Sequence, residues 1–329
     1  MIAEILNWRC VVAKFSVVTS FLGSVKNRFI TYQDDCSLED KFLKARKIVD
    51  LDGLELCYPA DFSDFKLLKR LIKDSGLGVS AINFRSRRTG AWLRGSFSSS
   101  NEKERSEVID DAKRAMDYAA ELGCERVSSC LLNEGSDYLF EMDYEKAYME
   151  MTRALAEVAA HNPELDFCIE YKLSDPRGRS LIGNMGEILT VCNLAGAPNL
   201  GINLDIGHSL YAGERPAQAL ALAVISGRPL YIHLNDNDKF WDWDMVPGAF
   251  NLLDFLEFFY CLNRTGYDGW FGMDIFSKEI DTVKTYSFAI SITKRMMAMA
   301  KKLDDDKIAE LRKKRNPIDS MEYLYSILT

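Results

Sequence analysis

Histidine is scarce in this chain: 329 residues contain three, His161, His208 and His233. That number excludes sites built mainly from imidazole, such as histidine-rich zinc clusters. Cysteine is commoner, at eight residues, but no two have the Cys-x-x-Cys spacing and several lie inside apolar strands such as "DFCIEY". A disulfide framework is therefore not expected, and the thiols read as reduced and mostly structural, as in a cytoplasmic protein. No apolar run approaches the ~20 residues that a membrane span needs. The apolar stretch "VVAKFSVVTSFLG" near the start carries Lys14 and reads as a strand entering a core, not a signal peptide. Surplus positive charge is absent too: 41 basic against 49 acidic residues leave a net charge of −8, so neither nucleic acid nor a membrane is an expected partner.

What is present is apolar and aromatic, with 18 Phe, 14 Tyr and 5 Trp, enough for the core of one large domain or two ordinary ones. Short β-rich runs alternate with stretches of helical period. The strands read as "AKFSVVTSFL", "GLELCYP", "GVSAINFR", "CERVSSCLL", "LDFCIEYK", "NLGINLDIGH", "PLYIHLND" and "GWFGMDIF", and each is followed by a helical segment. The first helix opens "SLED", a variant capping box, and the second closes on Gly76. Eight strand-helix pairs in a row predict an α/β fold, a (β/α)8 TIM barrel over residues 1–302, with a short C-terminal helical extension over 303–329.

In such a barrel, chemistry sits at the C-terminal ends of the strands. Strand five ends in Glu170-x-Lys172, two apart and so on one face; strand six ends in Asp205-x-x-His208, where Gly207 permits a turn; strand seven supplies His233; strand eight supplies Asp274. Four consecutive strands thus end in a metal-capable side chain: Glu170, Asp205, His233 and Asp274. Three carboxylates and one imidazole make a hard site that suits Mn²⁺ or Mg²⁺, with Co²⁺ or Zn²⁺ as alternatives. Beyond strand seven, "HLNDNDKFWDWDMVPG" carries Asp242-x-Asp244, which with His208 would complete a second cation site. Asp236 and Asp238 in the same run read as a residue behind the site and a surface charge. Trp92, in the loop after strand three, is a candidate apolar wall for a substrate, and Arg85, Arg87, Arg88 and Arg94 around it would suit a phosphate.

Over nearly its whole length the pattern resembles the xylose isomerase-like (β/α)8 superfamily. Glu170-x-Lys172, Asp205-x-x-His208, the aspartate-rich run and Asp274 look like the two-metal aldose-ketose isomerases of the xylose isomerase and rhamnose isomerase branch. The resemblance implies two divalent cations. One would be held by Glu170, Asp205, His233 and Asp274, the other, mobile, by His208, Asp242 and Asp244. It implies that Lys172 polarises the substrate carbonyl, that Glu170, His208 and Asp244 take part in catalysis, and that Lys172, His208 and Trp92 contact the sugar. A homo-oligomer, dimer or tetramer, is implied as well. The pattern departs from xylose isomerases at one point: they open the sugar ring with a histidine early in the barrel, and here only His161, at a helix end, remains. A strand-seven histidine leans towards the rhamnose isomerase side.

The runner-up is a single-metal ketose 3-epimerase of the same superfamily, which would use Glu170 and Asp274 as an acid-base pair. A phosphodiesterase resembling endonuclease IV shares the barrel, but three histidines and a charge of −8 supply neither its zinc cluster nor its DNA face. A non-catalytic sugar- or partner-binding barrel is the last alternative.

Overall fold

The computed structural model describes residues 13–87 and 90–328. Eight parallel strands close into a barrel: β1 (Lys14–Val18), β2 (Gly53–Tyr58), β3 (Gly78–Phe84), β4 (Arg126–Cys130), β5 (Asp166–Glu170), β6 (Leu200–Asp205), β7 (Leu230–Leu234) and β8 (Trp270–Met273), with β8 pairing back onto β1. Around them run α1 (Leu38–Ala45), α2 (Phe65–Ser75), α3 (Glu102–Leu122), α4 (Tyr144–His161), α5 (Met185–Ala195), α6 (Ile206–Tyr211), α7 (Pro216–Ser226), α8 (Leu252–Leu262) and α9 (Thr282–Ala300). This is the predicted (β/α)8 barrel, with one extra helix, α6, springing directly from the end of β6.

Local chemistry explains the boundaries. Ser37 accepts the Asp40 amide at the start of α1, and Asp64 accepts the Leu67 amide at the start of α2, each satisfying an amide with no intrahelical partner. Gly76 ends α2 at φ 72°, a left-handed conformation that costs glycine nothing.

Alternation along the strands divides their side chains between two environments. Phe15, Leu54, Leu56, Ile82, Phe167, Ile202, Ile232 and Phe271 join one large cluster between sheet and helices. The other face points into the barrel and is unusually polar. There the Tyr231 hydroxyl donates to Glu55 and lies 3.3 Å from Ser80 Oγ, while Asn203 donates to Ser128. Fully burying a side chain such as Phe271 contributes about 1.5–3 kcal/mol, so the outer cluster carries the stability and leaves the interior free for polar groups.

The tail forms α10 (Asp305–Lys314) and α11 (Pro317–Leu328). Leu311 is buried, and Asp305 accepts from Tyr260 and from Arg264 at the end of α8, which docks α10 onto the barrel's own outer layer. Among the described residues, no helix is long and apolar enough to cross a membrane.

Candidate metal and active site

Period-two alternation sends Glu170 and Asp205 inward from the last positions of β5 and β6 and His233 from the next-to-last position of β7, and Asp274 joins them one residue beyond β8. Asp205 pairs in register with His233, and His233 with Gly272, while Glu170 pairs with Asn203, two residues before Asp205. Each of the four offers a ligand atom, all within 4.8 Å of one another. Around His233 Nδ1 lie Glu170 Oε1 at 3.4 Å, Asp274 Oδ2 at 3.4 Å and Asp205 Oδ2 at 3.9 Å. Gly272 makes room for the ring, because a Cβ there would sit 2.6 Å from His233 Cδ2.

The donor set fits a divalent cation. Glu170 Oε1 and His233 Nδ1 are buried without a hydrogen-bond partner, a condition that costs roughly 1–3 kcal/mol per group unless something binds there. Proton affinities show the crowding. Burial, then Glu170, Asp242 and Asp274, push Asp205 up to about 7 against the opposing pull of His208. Burial works against a charged His233, yet Glu55 and Glu170 hold its proton well above the usual histidine range. Burial also opposes the charge on Glu170, but His233 and His208 keep that carboxyl ionised, down to about 2.

The quartet is braced from behind by residues the sequence reading did not single out. Glu55, on β2, is fully buried; its Oε2 lies 2.8 Å from His233 Nε2 and accepts from Tyr231, while its Oε1 accepts from Asn83. That contact fixes the imidazole so that Nδ1 faces the carboxylates. Asn235 donates to Asp205 Oδ2 at 2.7 Å, and Asp205 Oδ1 accepts the His208 amide, capping α6. The expected role of Gly207 is corrected here: it lies inside α6, and its lack of a side chain accommodates Asn235, whose Oδ1 would clash with an added Cβ. A lone acid in "GLELCYP" was the available signal for Glu55.

On the open side, Lys172 Nζ lies 2.8 Å from Asp242 Oδ2, and His208 Nε2 is 3.1 Å from the same oxygen. His208 Nδ1 in turn lies 3.3 Å from Glu170 Oε1, which links this group to the quartet. Burial opposes both charges of the ion pair, but Asp242 keeps Lys172 protonated and Lys172 with His208 keeps Asp242 ionised. The fields of Asp205 and Asp242 overcome burial to raise His208 to about 10. Asp244 is half-buried with φ 49°, and burial followed by Asp242 and Asp274 holds its carboxyl well above the usual range. His208, Asp242 and Asp244 do not form a metal-sized group among the described residues in this arrangement. His208 instead groups with Glu170 and Cys130.

The remaining candidates separate. Trp92 is 5% exposed and packed in the main apolar cluster, so it presents little face to a sugar; Trp241 and Trp243 are more open, at 42% and 41%. Arg85 donates to Ser20 Oγ at 3.2 Å, Arg94 is exposed and 3.8 Å from Glu141, Arg87 is exposed, and Arg88 lies outside the described residues. Asp236 is fully buried: its carboxylate accepts from the amides of Phe250 and Asn251 and from the Asn251 side chain, tying down the loop after β7. Asp238 accepts from the Phe240 and Trp241 amides. His161, at the end of α4, meets Asp117 on α3 and not the barrel mouth.

The family model for the xylose isomerase-like TIM barrel matches residues 43–303. Xylose isomerase from Thermus thermophilus is 26% identical over 213 residues, 61% of this chain; the chain spans about half of that relative's length, 54%. A solved L-ribulose 3-epimerase is 20% identical and superimposes with TM-score 0.69 over 92% of this chain and 99% of its own. D-allulose 3-epimerase from Methylomonas sp., in complex with D-allulose, is 16% identical and also gives 0.69, over 86% and 97%. The solved structures share the barrel fold, and the family match over most of the chain establishes that this protein belongs to the xylose isomerase-like TIM barrel family.

Proposed function

We propose that the protein is a divalent-metal-dependent aldose-ketose isomerase that acts by a 1,2-hydride shift on a small monosaccharide, a pentose, a deoxyhexose or a branched sugar such as apiose. The observation that carries this reading is the buried Lys172 ammonium, anchored on Asp242 and joined through His208 to the carboxylate quartet.

A cation held by Glu170, Asp205, His233 and Asp274, Mn²⁺ or Mg²⁺ from the chemistry of the donors, would supply Lewis acidity towards the sugar's oxygens. Lys172 donates to the aldehyde oxygen O1 and offsets the charge that develops there. Such a fixed charge in a dry site is worth far more than in water. A water molecule oriented by Asp244 takes the proton from the C2 hydroxyl and returns it to O1. Between those transfers the hydride moves from C2 to C1, C2 becomes the carbonyl carbon, and no atom is exchanged with solvent at carbon. His208, between Glu170 and Asp242, holds the two carboxylates in place. A second cation on His208, Asp242 and Asp244 belongs to this proposal and requires Lys172 to release Asp242. A homo-oligomer in the cytoplasm is proposed with it.

The second reading is a single-metal ketose 3-epimerase. It is favoured by one feature, the presence of Glu170 and Asp274 in the same tight group, where two carboxylates could remove and return a proton. The Lys172–Asp242 pair has no task in that chemistry.

Metal-stripped protein restored with Mn²⁺ or Mg²⁺ is incubated with aldoses and ketoses in D₂O and followed by NMR. Ketose formed from aldose with almost no deuterium at C1 is expected. Deuterium at the reacting carbon would transfer the assignment to the epimerase, and stable metal binding with no turnover on any sugar would leave a binding barrel.

A further inference from the structure

Cys130 closes β4 directly beside the strand-five ligand, in register with Glu170. Its sulfur, a Glu170 oxygen and a His208 ring nitrogen all lie within 4.8 Å of one another. The three come from the ends of β4 and β5 and from the first turn of α6. His208 is 4% exposed and its Nδ1 has no hydrogen-bond partner; nor does Glu170 Oε1, which faces it at 3.3 Å. An imidazole nitrogen and a carboxylate oxygen without partners, converging beside a thiol, make an S,N,O donor set. That set differs in kind from the O,O,O,N quartet: thiolate and imidazole select Zn²⁺ or other thiophilic cations, whereas carboxylates suit Mg²⁺ and Mn²⁺. Zinc bonds of about 2.3 Å to sulfur and about 2.0–2.1 Å to nitrogen or oxygen match donors spaced this closely.

We propose that Cys130, His208 and Glu170 form a further, thiophilic cation site that binds Zn²⁺ and competes with the hard cation for Glu170 and with the mobile second cation for His208. On binding, Cys130 Sγ bonds to the ion and its proton leaves to solvent. Because Glu170 and His208 are shared, an ion here withdraws both from the work assigned above. Binding follows from the geometry alone; only the inhibitory consequence rests on the isomerase reading.

Metal-free full-length protein is titrated with Co²⁺ as a spectroscopic stand-in for Zn²⁺. A near-ultraviolet thiolate-to-cobalt charge-transfer band is expected in the native protein and is lost in Cys130→Ser. Competition with a chromogenic chelator should show Zn²⁺ affinity falling at least tenfold in Cys130→Ser and in Cys130→Ala, with Mn²⁺ affinity held within about twofold. Thermal melting of both variants checks that they fold. Absence of the band from the native protein, or its persistence in Cys130→Ser, overturns the site whatever reaction the enzyme carries out; unchanged Zn²⁺ affinity in both folded variants does the same.

Discussion

Lys172 Nζ stands 2.8 Å from Asp242 Oδ2, joining the end of β5 to the loop that follows β7. Both side chains are nearly buried, at 12% and 2% exposure. Two charges withdrawn from water to this degree are held by each other, and removing one leaves the other uncompensated, at a cost of roughly 3–5 kcal/mol. Lys172→Met should therefore lower the melting temperature and cut kcat by about 10²–10³, the usual loss for one preorganised electrostatic group. Affinity for the first cation should survive, since Lys172 is no ligand. Calorimetry with Mn²⁺ beside steady-state kinetics decides it: a collapse of Mn²⁺ affinity would make Lys172 part of the metal site's scaffold.

Glu55→Gln leaves the shape of the barrel interior but removes the charge that orients His233. Losses of about 10–100-fold in metal affinity accompany the removal of such outer partners. The expected result is that drop, together with a lower Tm of the metal-free protein, because the buried His233 charge loses a partner. Undiminished affinity for Mn²⁺ would show that Glu55 serves the barrel core alone.

Metal binding should strengthen as pH rises. In the metal-free protein His233 holds its proton well above the usual histidine range, and Asp205 titrates at about 7. A cation must displace both protons, whereas Glu170, down at about 2, has none to lose near neutrality. Affinity therefore climbs between about pH 6 and 8 and levels off only above the His233 pKa. Calorimetry in two buffers of different ionisation enthalpy should register proton release on binding; identical heats in both buffers would contradict it.

Gly207→Ala should destabilise the fold by about 1–3 kcal/mol, the usual cost of overpacking. The added Cβ would clash with Asn235 Oδ1, and the amide that yields is the one that donates to Asp205. Metal affinity should fall along with Tm. A variant of native stability and native affinity would mean that α6 can shift to accommodate the methyl group.

Much of this was legible in the chain. Eight alternations of period two and period 3.6 announced the barrel, and Glu170, Asp205, His233 and Asp274 stood at the ends of four successive strands, where alternation and topology together dictate that they meet. Glu55 was not legible, because an acid within an apolar strand has several explanations until its partner is known, and His233 is 178 residues away. Asp236 is legible as a residue behind the site, but its burial under Phe250 and Asn251 depends on how the loop folds back. Trp92 was legible as a loop aromatic of a type that packs in a core or lid more often than against a substrate, and the structure turns it into the core.

The sequence by itself determined the periodicities, the order of the strands and which residue types arrive at each strand end, since these depend on local spacing and on a closed parallel topology. Only the tertiary structure decided how those ends engage one another. It drew the quartet together around a braced His233, set Lys172 on Asp242, left Asp242 and Asp244 outside any metal-sized group among the described residues, and placed Cys130 beside Glu170 and His208. The reason is physical: alternation specifies the face on which a side chain lies, whereas the separation of two charges across the barrel depends on register, loop path and the burial energies of every group around them.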